Sequence, residues 1–269
     1  MYKLVAMLLI GMLAACGGSG SPSVPHTPDP HTDIDITEDE VIVVEYIIDL
    51  SYGPQLYDLV VPKELTDKPV IMLVHGGGWF RGSKDDREKG SFAGVAEHYA
   101  QKGHPVVIIN YTLGPHPMGL NDVILAKDYF SAQYGRPVIM LGVSAGGHLV
   151  TLAAQQSSQN VLGVVSASGI YDFTADVGLS PMESIVSNYL ESASPESASP
   201  AFYDVDFPLF MIHGIEDLVV YVSQCLIMQN KFGIDCMVVD KKAHNIVMQD
   251  YPEIEQFIDG LTEQYLLGR

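Results

Sequence analysis

The stretch RPVIMLGVSAGGHLVTLAA, residues 136–154, narrows the possible folds more than any other part of the chain. A short, unbroken apolar run predicts a strand covered on both faces, as in a parallel sheet. That run enters Gly142-x-Ser144-x-Gly146 and continues into a second apolar stretch with helical spacing. A strand that turns straight into a helix forces unusual backbone angles on its central residue, and neighbouring side chains would clash there. Gly142 and Gly146 permit such a turn. It lifts the Ser144 hydroxyl above the sheet at a helix N-terminus, where the first amides can face an anion forming beside it. Gly-rich strand–helix turns also bind cofactor phosphates, but neither Gly-x-Gly-x-x-Gly nor a Lys-Ser/Thr ending occurs here.

The same pattern recurs on either side. VIVVEYIIDL (41–50) and QLYDLVVP (55–62) read as an opening antiparallel pair, and residues 69–76, 105–111, 136–143, 161–168, 208–214 and 236–240 read as further strands. Helices are expected at about 86–102, over 119–134, from Ser144 to about 157, near 221–232 and over 252–267. This alternation predicts an α/β domain, a mostly parallel sheet with helices on both faces. One long departure, residues 171–207, is polar, contains prolines and is only partly helical in pattern. Insertions at strand ends lie where ligands bind, so this segment is a candidate lid or pocket wall.

With Lys+Arg 14 against Asp+Glu 33, the formal charge of the 269 residues is −19. So acidic a surface repels nucleic acid and anionic lipid, which sets those partners aside. No His-Glu-x-x-His or Cys-x-x-Cys is present, so no metal or cofactor is expected. Residues 1–15 carry Lys3 and then an apolar run from Leu4 to Ala15, the layout of a secretory signal. LAAC (13–16) resembles the bacterial lipobox, which implies lipid on Cys16; an ordinary signal containing a cysteine is the alternative. Residues 16–40 form the lipidated cysteine and a tether rich in Gly, Ser and Pro, in which His26 and His31 read as solvated linker. The α/β domain is expected at 41–269, in the bacterial cell envelope, at the outer membrane or cell surface, with membrane contact through the N-terminal lipid only. Two cysteines remain, Cys225 and Cys236. Outside the cytoplasm they are expected to pair, two buried free thiols being the alternative.

Three further motifs complete a chemistry for Ser144. HGGGW (75–79) follows the strand at 69–76, HGIEDLVV (213–220) places Asp217 just after another, and KKAHNIVM (241–248) places His244 after the last. A serine hydroxyl is a poor nucleophile at neutral pH unless an imidazole takes its proton and a carboxylate fixes that imidazole. The chain order Ser…Asp…His, the elbow and the HGGGW loop together resemble the α/β-hydrolase fold, in particular bacterial feruloyl and acetyl esterases. QLYDLVVPK and SPAFYDVDFPLFMIHGIEDLVV are similar to further stretches of that group. The resemblance implies Ser144, Asp217 and His244 as the triad, with Asp217 preferred to the adjacent Glu216. It also implies an oxyanion hole of Gly77, Gly78 and Ala145 backbone amides.

Among the other histidines, His75 is expected to brace the HGGGW loop, His213 to be structural and His148 to pack or support. His116 is a loop residue that could line the pocket. Trp79 could flank an acyl pocket or pack under the loop. The chain departs from the family pattern at Thr112, where related esterases often carry arginine, and in VDKKAHN, which lacks the usual small residues. It also has a tether where hormone-sensitive-lipase relatives carry an N-terminal cap. The expected activity is hydrolysis of short-chain carboxylic esters, acetyl or feruloyl, on a small molecule or a carbohydrate, through an acyl-enzyme. An amide hydrolase (a formamidase or small peptidase) and a non-catalytic surface binding protein are the alternatives. Nothing in the sequence sets the oligomeric state.

Overall fold

The computed structural model describes residues 44–62, 66–175 and 182–269. The signal segment, Cys16 and the tether lie outside them.

Eight strands form one sheet: β1 (Val44–Tyr52), β2 (Gln55–Pro62), β3 (Val70–Val74), β4 (Val106–Ile109), β5 (Val138–Val143), β6 (Val161–Ala167), β7 (Leu209–Gly214) and β8 (Cys236–Val239). Their order across the sheet is β1-β2-β4-β3-β5-β6-β7-β8. β1 and β2 form an antiparallel hairpin closed at Tyr52↔Gln55, and β2 is antiparallel to β4. From β4 to β8 every pairing is parallel.

The central strands have no exposed face, which explains their unbroken apolar sequence. In β3, Val70, Met72 and Val74 enter one core layer while Ile71 and Leu73 enter the other. β5 divides in the same way, Val138 and Met140 against Ile139 and Leu141. The first layer is closed by α2 (Met118–Tyr134) and α3 (Ala145–Gln156), the second by α1 (Val95–Gln101) and α7 (Pro252–Leu267). After β3 the chain crosses to β4 on one side, and after β5 it crosses to β6 on the other. The C-terminal ends of β3 and β5 therefore border a crevice, the position at which open α/β sheets bind ligands.

One expectation changes. The helix expected over 86–102 is α-helical only from Val95; two 3-10 turns, Lys84–Glu88 and Gly90–Phe92, precede it. Gly90 and Gly94 take left-handed angles, φ 55° and 72°, and an α-helix cannot pass through them. The segment 171–207 is the small insert expected, and it serves as a pocket wall: Met182 and Ile185 line the cavity that holds Ser144. Tyr171, Phe173, Val186 and Tyr189 are buried in the core. Its helices α4 (Glu183–Leu190) and α5 (Pro195–Ala198) lead into a turn whose Pro200 and Tyr203 carbonyls accept from the Gln155 side chain on α3. Residues 176–181 within it lie outside the described residues.

α6 (Ser223–Phe232) is joined to β8 by a Cys225–Cys236 disulfide with Cα atoms 5.9 Å apart. The bridge links cysteines 11 positions apart. A loop of that size stabilises by about 3 kcal/mol in the chain-entropy account.

Candidate active site

Ser144 sits at φ 55°, ψ −119°, angles a non-glycine residue holds only where its surroundings impose them. Its N–H donates to Ala167 O at 2.8 Å and its carbonyl accepts from His148 N at 3.0 Å, so the backbone is tied on both sides. The glycines beside it are required by contact distance. A Cβ on Gly146 would lie 2.0 Å from Val74 O, and one on Gly142 would lie 2.3 Å from Gly146 O. Through them the first turn of α3 seats directly on β3.

The HGGGW loop folds over the same crevice. Gly77 O accepts from Arg81 N at 3.1 Å, and a Cβ on Gly77 (φ 109°) would lie 2.1 Å from Arg81 O. Among the described residues the N–H groups of Gly77, Gly78 and Ala145 donate to no protein acceptor. Free donors on a rigid loop and at a helix N-terminus are what a developing oxyanion needs.

Trp79 is a pillar beneath this loop. It is buried, stacks on Tyr189 (centroids 4.0 Å, 15°), and donates its Nε1–H to His148 Nδ1 at 3.2 Å. His148 Nε2–H donates in turn to Ala198 O at 2.7 Å, so this imidazole is neutral, pushed down to about 3 by burial. Trp79 therefore takes its packing role and not a place in the cavity wall. His75 stacks on Tyr111 (4.2 Å, 14°) with Nδ1 2.7 Å from Gly76 O. Burial holds it below its ordinary pKa. His116 faces Tyr189, Nδ1 to Oη 3.2 Å, and does not line the cavity.

The acid and base meet across two loops. His244 Nδ1–H donates to Asp217 Oδ2 at 2.8 Å, which leaves Nε2 as the free acceptor. Asp217 Oδ1 accepts the N–H groups of Val219 and Val220, both at 2.9 Å. Burial would raise this carboxyl, but the donors from His213 and His244 overcome it and hold Asp217 well below the usual carboxylate range. Glu216 is exposed, and among the described residues its carboxylate makes no hydrogen bond to His244. The His244 loop is pinned by Ser168 Oγ–H to His244 O (3.1 Å) and by Glu216 N–H to Lys242 O (2.9 Å).

Neither the Ser144 hydroxyl nor His244 Nε2 is hydrogen-bonded within the described residues; both open onto one cavity of about 590 Å³. Gly76, Gly77 and Gly78 form one wall of it, and Phe92, Met182, Ile185, Leu218 and Val219 supply apolar surface. Leu218 is 75% exposed, so the cavity opens to solvent beside His244. Among the described residues no cluster of three or more His, Cys, Asp or Glu could hold a metal ion.

Sequence reasoning missed two parts of this arrangement. His213, read as structural, is a second imidazole on the acid: its Nε2 lies 3.2 Å from Asp217 Oδ2 and 2.8 Å from Val220 O. The i,i+4 spacing of His213 and Asp217 was the available signal. Ser168, which holds the base loop, carries no motif.

Fold and site together define an α/β-hydrolase with a serine presented to a His–Asp pair. The chain belongs to the BD-FAE family, whose sequence profile matches residues 57–232. That span holds Ser144, the HGGGW loop and Asp217 but ends before His244. Solved structures with the same fold include an esterase/lipase from an uncultured bacterium, with 20% identity and a TM-score of 0.67 over 84% of this chain and 86% of that one. An esterase from the bacterial hormone-sensitive lipase (HSL) family aligns at 22% identity and TM-score 0.63, covering 84% of each chain. A hormone-sensitive lipase from a metagenome library aligns at 18% and 0.67, over 82% of this chain and 84% of that one. At these identities the likeness is one of fold. No curated protein matches the sequence.

Proposed function

We propose that the protein is a serine hydrolase that cleaves short-chain carboxylic esters, acetyl or feruloyl, on a small molecule or carbohydrate. The observation that carries this reading is the 2.8 Å His244–Asp217 contact, placed so that His244 Nε2 shares a cavity with the unbonded Ser144 hydroxyl and the free Gly77, Gly78 and Ala145 amides.

In this reading Ser144 Oγ attacks the acyl carbon and its proton passes to His244 Nε2. Asp217 keeps the Nδ1–H tautomer in place and stabilises the imidazolium. The carbonyl oxygen becomes an anion held by the three amides. When the tetrahedral adduct collapses, His244 returns the proton to the departing alkoxide and the alcohol leaves. Water, deprotonated by His244, then attacks the acyl-serine and releases the carboxylic acid with Ser144 restored.

A cavity that opens to solvent beside His244 favours a small acyl group on a bulky alcohol, because long chains gain most from a deep apolar tunnel. The expected result is a higher kcat/KM for p-nitrophenyl acetate or butyrate than for the dodecanoate, and for aryl esters than for matched anilides. Faster dodecanoate or anilide turnover would reverse the assignment, to a lipase or an amidase respectively.

We also propose that Cys16 carries the lipid that holds this enzyme in the cell envelope. LAAC and the tether support that reading, since attached acyl chains contribute about 0.8 kcal/mol per buried methylene. Cys16→Ser should move the protein from the membrane to the soluble fraction; continued sedimentation with membranes would contradict lipidation.

A further inference from the structure

The few positive charges of this acidic chain are not evenly used. Lys84, Lys102, Lys127, Arg136 and Arg269 each pair with a carboxylate. Lys68 donates to a backbone carbonyl, and Lys231 lies over the Phe202 ring. Among the described residues the charged side chains of Arg81, Lys89, Lys241 and Lys242 make no hydrogen bond, ion pair or ring contact. Arg81 and Lys89 line the cavity that holds Ser144 and His244. Lys241 and Lys242 stand on the loop that carries His244.

A protein of charge −19 gains from neutralising its own carboxylates, so two unpaired cations in the wall of one cavity point to an external anion. One opposing charge lines the same wall. Asp86 contributes its carboxylate there, and although its Oδ2 accepts the Ser83 N–H at 3.1 Å it keeps its charge, so the described lining sets two cations against one carboxylate. Asp217 lies behind His244, hydrogen-bonded to His244 and to the amides of Val219 and Val220, and is not among the lining residues. The wall is therefore net positive on a strongly negative molecule.

We propose that the cavity accepts esters whose alcohol carries a carboxylate, such as an acylated acidic sugar, with Arg81 and Lys89 as the anion-binding pair. The inference rests on the ester-hydrolase reading and names its substrate class. Without such a pair, the field of the whole protein would make an anionic ester a poorer substrate than its neutral counterpart. With it, the anionic ester is preferred, and the preference shrinks as salt screens exposed charges.

The test compares kcat/KM for meta-acetoxybenzoate with that for meta-acetoxybenzamide, which share an acyl group and differ in the charge of the alcohol. The full chain should favour the anionic ester at low ionic strength. In Arg81→Gln/Lys89→Gln the anionic-to-neutral ratio should fall by about tenfold, as expected for removing two cations near one anion. Arg81→Lys, which keeps the charge, should retain most of the ratio. An anionic ester that is the poorer substrate of the unmodified protein, or a ratio unmoved in the double variant, would overturn the inference while turnover of the neutral ester kept the ester-hydrolase reading standing. Absence of turnover on either ester would overturn both.

Discussion

Ser144→Ala should lower kcat for p-nitrophenyl acetate by about 10⁴- to 10⁶-fold, the loss expected when the nucleophile of a triad is removed. The fold should survive. Among the described residues Ser144 Oγ makes no hydrogen bond, so its deletion leaves no buried partner there unsatisfied. The backbone bonds that hold the elbow, to Ala167 O and from His148 N, do not involve the side chain. A Cβ is already present at φ 55°, so alanine adds no strain. Circular dichroism and Tm should therefore match the unmodified protein within a few degrees. Retention of more than about a tenth of the rate would remove Ser144 from the nucleophile's role, given what other hydrolases lose.

Gly146→Ala should damage both stability and activity. Its Cβ would meet Val74 O at 2.0 Å and His75 O at 2.6 Å, and both are backbone atoms that no rotamer change can move aside. Either α3 lifts from β3 or the end of β3 shifts. Overpacking against a fixed backbone costs about 3 kcal/mol or more, which for a domain of this size lowers Tm by roughly 6–12 °C. The fraction that remains folded should also turn over slowly, because the displaced elements carry the Ala145 amide on one side and the Gly77–Gly78 loop on the other. Gly260, in α7, is the control: an added Cβ meets no atom within 4 Å, so Gly260→Ala should stabilise by about 0.5–1 kcal/mol. Equal effects of the two substitutions on thermal unfolding would contradict this reading of the elbow.

The parts of this architecture that were legible in the sequence are those in which local chemistry and tertiary context agree. β3 and β5 are recognisable because strands covered on both faces have no polar positions, and the elbow is recognisable because its glycines are imposed by contacts of 2.0–2.3 Å. The start of α1 was misplaced because residues 86–102 carry a helical spacing of apolar residues that Gly90 and Gly94 interrupt through their backbone angles. The segment 171–207 reads as a lid or pocket wall because its surface residues are polar, and the wall is the part it takes. Its few large side chains, Phe173 and Tyr189 among them, pack against Trp79 and fix it to the core. Met182 and Ile185 reach the cavity only because α4 is anchored in this way. His213 shows the remaining gap: its i,i+4 spacing from Asp217 is a weak signal at a strand end, where no helix is expected to bring the two together and only the turn that follows does so.

The central claim is that the His244–Asp217 pair makes Ser144 nucleophilic. Labelling with a fluorophosphonate, followed by peptide mass mapping, tests it most directly, because the reagent modifies activated serines irrespective of substrate preference. The account predicts a single adduct, on Ser144, whose rate of formation falls by at least a thousandfold in His244→Ala, within the range seen when a triad base is removed. An adduct on another serine, or labelling of Ser144 at an unchanged rate without His244, would contradict it.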